Sequence, residues 1–238
     1  MVWAARSARA GGSVMIRRFS VLALAVLGLT VGASVAAKPG LTSPALFGLR
    51  PAPPPPSLAF SYRGWRIDAS RAARAQPAAR TVRAIKAQID IVEHLGLRPD
   101  VLAFMRAQPV VCDGVSDPDL EASDYAPGRG VVVHARRLDA KKPILLYALL
   151  KAYHAQRLPG GFANPDVERL RLQAAGRRVW PKTARMLQSN NEFFALSAAA
   201  YLYGAITREP YTRADLRKTE PQCYQWLAAL FDAGRPRG

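Results

Sequence analysis

Three side chains with usable chemistry break an otherwise apolar stretch. In residues 143–157, PILLYALLKAYHAQR, the run Ile144, Leu145, Leu146, Ala148, Leu149, Leu150 and Ala152 is apolar almost all round, the pattern of a helix buried inside a domain. Tyr147, Lys151 and His154 stand at i, i+4 and i+7, so a phenol, an ammonium and an imidazole lie above one another on one face. An unpaired charge on such a helix is expensive, so the ammonium needs a counter-charge. Farther along, SNNEFFA (189–195) sets one carboxylate, Glu192, against an apolar run.

The elements that must position these groups can be read from the rest of the chain. LAFSYRGWRIDAS (58–70) carries Phe60, Tyr62, Trp65 and Ile67 around Gly64 and predicts a strand or short hairpin. Val82, Ile85, Ile89, Val92 and Leu95 recur at helical steps over 77–95, with Gly96 as the stop, Arg80, Arg83 and Lys86 outside, and His94 in the last turn. Pro99 opens a shorter helix through Gln108 with Val101, Leu102 and Met105 inward. Pro109–Cys112 reads as a strand, Asp113-Gly with Ser116-Asp-Pro-Asp as a turn-rich loop, and Gly130–His134 as a second strand leading into the central helix. Asn164-Pro-Asp caps a helix through Ala175, and 176–181 is a basic loop. A long helix is predicted over Met186–Tyr203, with Leu187, Phe194, Ala198 and Tyr201 packed. Thr212 with Asp215 forms a capping box, and Pro221 starts a last helix with Trp226, Leu227, Leu230 and Phe231 inward.

The central stretch resembles the active-site helix of the zincin metallopeptidases, His-Glu-x-x-His, in particular gluzincin-like bacterial secreted members. SNNEFFA resembles the motif that supplies their third zinc ligand. The resemblance spans LLxxLLxAYHxQxLPGGF and SNNEFFA followed by YLYG. It implies an α+β, mainly helical fold with a small sheet against the active-site helix and an edge strand lining a substrate groove. In such enzymes two His one turn apart and a Glu hold zinc, while the motif's Glu activates the bound water. Here Tyr147 stands for the first His, Ala148 for the general-base Glu and Lys151 for the second His, and only Glu192 keeps its family identity. No catalytic residue and no cofactor are therefore expected. Instead, the Lys151 ammonium is expected to take roughly the place of the missing cation and pair with Glu192, with Tyr147 as hydroxyl neighbour.

The leading expectation is a noncatalytic, exported pseudopeptidase that keeps a groove for peptides or anionic envelope components. One alternative is an active hydrolase with a metal site rebuilt from His134, His154 and Glu192, although His154 lies one turn beyond the second ligand position. Another is a structural envelope protein. No phosphate-binding glycine loop, G-x-S-x-G elbow or internal repeat appears.

Residues 1–37 read as a signal peptide: Arg17 and Arg18 after Met15, the better start, then an apolar run too short to span a bilayer, then small residues at a cleavage site. The expected location is the periplasm or beyond, with membrane tethering if the leader stays. A proline-rich linker follows over 38–57, and 58–238 is expected to form one domain. The formal charge is +17. Its scattered arginines favour anionic surfaces, and export argues against a nucleic-acid partner. In an exported chain, Cys112 and Cys223 permit one disulfide.

Overall fold

Arg63 and Gly64 both take positive φ (48° and 84°), which suits a two-residue turn joining right-twisted strands, and they close the predicted hairpin. Its arms are β1 (Ala59–Tyr62) and β2 (Trp65–Asp68). This computed structural model describes residues 57–115 and 121–232. The leader over 1–37 and nearly all of the 38–57 linker lie outside the described residues.

After the hairpin come α1 (Ala78–Glu93), α2 (Pro99–Ala107) and β3 (Val110–Asp113). Then follow β4 (Ser123–Ala126), β5 (Gly130–His134) and the central helix α3 (Ile144–Arg157). The chain continues with α4 (Pro165–Arg177), α5 (Asn190–Tyr203), α6 (Arg213–Thr219) and α7 (Pro221–Asp232). The class is α+β, with seven helices and one five-stranded sheet among the described residues. No described helix is long and apolar enough to cross a membrane.

The sheet order is β1-β2-β3-β5-β4. The inner pairings β2–β3 and β3–β5 are parallel, while β1 and β4 run antiparallel at the two edges. Strand alternation gives the sheet two unlike faces. Trp65, Ile67, Val110, Cys112, Val131 and Val133 join the helices in one core, while Arg66 and Asp68 alternate with them as exposed residues. Helix α3 runs between the β4/β5 edge of the sheet and α5, which explains why it is apolar all round.

A buried amide fixes where α3 begins. Gln88 on α1 donates from Nε2 to the Asp139 carbonyl at 2.7 Å and the Lys142 carbonyl at 2.9 Å, and its Oε1 accepts from Leu145 N–H at 3.0 Å. The last bond satisfies one of the N–H groups that a helix start leaves without an internal partner.

The start of the long helix and one strand differ from the sequence reading. The long helix begins at Asn190, not Met186, because the Ser189 hydroxyl accepts from Glu192 N–H at 3.1 Å and caps it there. A separate short turn covers Arg185–Leu187. Strand β4 lies in a stretch to which the sequence reading assigns no element. The predicted capping box at Thr212 forms, with Asp215 N–H on the Thr212 hydroxyl at 3.0 Å.

The expectation of a disulfide is overturned. Cys112 and Cys223 are both free and buried. One sits on the central strand β3 and the other in the first turn of α7, and burial pushes each thiol up to about 12, so both stay protonated.

Candidate functional site

Helices α3 and α5 bring the two motifs of the sequence face to face. Lys151 Nζ donates to Glu192 Oε1 at 2.8 Å, and its side chain is only 7% exposed against 13% for Glu192. Lys151 therefore does not reach out to solvent. The same carboxylate oxygen accepts from Arg185 at 3.0 Å, and Lys151 also reaches Asp124 on edge strand β4 at 3.3 Å. One ammonium thus ties α3 to both α5 and the sheet edge. Burial pushes the Glu192 carboxyl up, but the charges and hydrogen bonds of Lys151 and Arg185 outweigh it and hold the group below the ordinary carboxylate range.

This pair lies beside a cavity of about 380 Å³. Its apolar wall is built from Pro143 and Ile144 at the start of α3, Leu196 on α5 and Ile206 on the following loop. Tyr147 lines it one turn before Lys151, and burial raises the phenol well above its usual range, so the hydroxyl stays neutral. Around the cavity a second chain of ion pairs runs from Arg185 to Glu121 at 3.7 Å and from Glu121 to Arg208 at 3.3 Å.

The two histidines of the alternative metal set are placed elsewhere. His134 Nδ1 lies 2.6 Å from Asp113 Oδ1, the residue opposite it in the parallel β3–β5 register. Because Val131 and Val133 face the helices, His134 belongs to the opposite face of the sheet. His154 is 0% exposed, with neither ring nitrogen hydrogen-bonded among the described residues, and its ring packs against Phe162 and Phe194 with centroids 5.4 and 4.9 Å apart. Burial lowers its pKa to about 4, so it is a neutral packing residue. The set His134, His154 and Glu192 is thus divided among three separate settings. Among the described residues no three His, Cys, Asp or Glu side chains are grouped to hold a metal ion.

The residues that the resemblance sets at the two histidine positions do not fit zinc either: Tyr147 offers a neutral phenol, and the Lys151 ammonium is already bonded to Glu192.

Sequence reasoning missed Asp124, Arg185, Glu121 and Arg208. Asp124 was hidden because β4 is short and polar, although Ser123 and Tyr125 alternate inward as a strand requires. The spacing of Ser189 and Glu192 was a legible helix-start signal. No protein-family model, curated protein or solved structure that was compared with the chain matches it.

Proposed function

We propose that this chain is a noncatalytic, zincin-like pseudopeptidase in which an ion pair between two helices replaces a metal and the neighbouring cavity serves binding rather than hydrolysis. The observation that carries the reading is the 2.8 Å contact between Lys151 and Glu192, the two residues that the motif resemblance superposes on a zinc ligand pair. An ammonium there supplies positive charge and cross-links the helices, but it cannot polarise a carbonyl or generate a hydroxide as zinc does. Ala148 removes the group that would move the proton. The antiparallel edge strand β4 beside α3 also agrees with the layout that the resemblance implies.

The test restores the chemistry. Combined Tyr147→His, Ala148→Glu and Lys151→His substitutions should yield a protein that keeps one zinc per chain through dialysis, and Glu192→Gln in that background should weaken its hold. A triple variant that is folded by circular dichroism and takes up no zinc overturns the scaffold assignment. Export forms part of the proposal. Sequencing the N-terminus of the protein recovered from the periplasm should find it after the 34–37 small-residue segment.

A further inference from the structure

We propose that the face formed by the loop after α4, by Tyr211 and by the outer side of α6 docks on an anionic lipid bilayer. Neither the family resemblance nor the cavity enters this inference, and none of the residues it uses lines that cavity. Val179 and Tyr211 are 53% and 46% exposed, two of only four large hydrophobic side chains left exposed among the described residues. The Trp180 and Tyr211 rings have centroids 6.4 Å apart, so two stretches distant in the chain build one apolar patch. The patch is held from below. Trp180, partly buried, donates from Nε1 to Glu220 Oε1 at 3.1 Å, and Arg177 reaches the same carboxylate at 3.4 Å and the Thr219 carbonyl at 2.7 Å. Glu220 is 3% exposed, so these bonds pin the loop to the junction of α6 and α7. Arg178 and Tyr211 both take positive φ (55° and 60°), a region that residues other than glycine rarely adopt. Glycine would make either turn more easily, yet both positions carry side chains that this face displays.

Cations rim the apolar groups. Arg178 and Lys182 flank Val179 and Trp180 in the chain, and Lys218 precedes the residue whose carbonyl Arg177 holds. All three are exposed, and none makes an ion pair or a side-chain hydrogen bond among the described residues. The nearby described acids are otherwise engaged: Glu220 by Arg177 and Trp180, Asp215 by Thr212 at the start of α6, and Glu209 by the Tyr211 hydroxyl. Aromatic and aliphatic side chains ringed by Lys and Arg match a bilayer interface, with Val179 and the rings at headgroup depth and the cations on lipid phosphates. A polyanionic glycan or a nucleic acid would satisfy the charges but offers Val179 no hydrocarbon. Arg80 and Arg83 on α1 are exposed too, but none of the exposed large hydrophobic side chains lies on that helix.

The experiment attaches an environment-sensitive fluorophore to the full chain at Ala214→Cys, which lies beside Arg217 and Lys218 on α6, or at Arg83→Cys on α1; the native Cys112 and Cys223 are buried. Vesicles of equal parts phosphatidylglycerol and phosphatidylcholine are then titrated in at low salt. Emission from the α6 label should move to the blue while the α1 label stays unchanged, and vesicles of phosphatidylcholine alone should move neither. Each label reports its own surroundings, so attachment through another part of the chain does not imitate docking here. Arg178→Gln with Lys218→Gln should raise the lipid needed for half of the shift about 25-fold, about fivefold per charge. Val179→Ser with Tyr211→Ser should raise it about tenfold, and both pairs should leave melting unchanged. No shift on α6, equal shifts at both labels, an equal shift with phosphatidylcholine alone, or either folded double variant behaving as wild type overturns the proposal. Heparin that moves the α6 label as the vesicles do also overturns it, because the face would then read charge without hydrocarbon.

Discussion

Truncating Lys151 to Met keeps the length of the side chain and deletes only its charge, so it isolates the ion pair. The partner left behind, Glu192, is 13% exposed and cannot easily regain water. Removing one member of a buried pair costs about 3–5 kcal/mol. Arg185 still touches the same oxygen at 3.0 Å, and Asp124, at 41% exposed, is readily rehydrated, so the lower end, about 3 kcal/mol, is expected. For a domain of this size that corresponds to a melting temperature lower by about 6–12 °C. Urea unfolding with an unchanged m-value should report the same loss as a shift in midpoint. Glu192→Leu alone should cost a similar amount, but the double variant should recover most of it, since replacing both partners of a buried pair with apolar side chains is often neutral or stabilising. A change below about 1 °C for Lys151→Met, or a double variant as unstable as the sum of the singles, would refute the view that this pair takes the place of a metal cross-link.

Other outcomes follow from the same geometry. His154→Leu should stabilise the protein by about 1 kcal/mol at neutral pH, because two buried ring nitrogens lack partners among the described residues. His154 has a folded pKa of about 4 against 6.5 when free, so the unfolded chain takes up the proton first. Wild-type stability is therefore full above pH 6.5 and falls as the pH drops toward 4, by up to roughly 3 kcal/mol. Urea midpoints across this interval should slope in wild type and flatten in His154→Leu. The Glu192 contribution has the depressed-carboxylate sign: it is fully present above the ordinary pKa of 4.5 and is lost as pH falls through the lower folded value, and Glu192→Gln should abolish that part of the acid transition. Gln88→Leu strands two carbonyls and one N–H at the start of α3 and should cost about 2 kcal/mol, with faster hydrogen exchange at Leu145. Without reductant, a thiol reagent should find Cys112 and Cys223 unreactive in native protein and both reactive in denaturant; an oxidised pair would contradict the free buried thiols.

Much of the scaffold was legible because its signals are local. Helical spacing in α1 and α3, the Arg63-Gly64 turn, the Asn164 and Thr212 caps and the β-branched run of β5 are all set by neighbours within a few residues. Long-range partners carry no such signal. Strand β4 is held by its pairing with β5, and the short polar run around Asp124 carries no local strand signal. The opposite misreading affected the cysteines, whose pairing depends on where two distant elements come to rest.

The sequence by itself determined that α3 is buried, that Lys151 on it needs a counter-charge, and that a carboxylate flanked by phenylalanines waits on another helix. These follow from periodicity and from the cost of an unpaired charge in low dielectric. Only the tertiary structure decided that Glu192 and Asp124 both meet that ammonium and that Arg185 shares the load. It also placed His134 on the far face of the sheet and enclosed His154 among aromatic rings. Side chains far apart in the chain acquire partners through the packing of whole helices and strands, and no local pattern encodes which of several charged residues that packing brings within bonding distance.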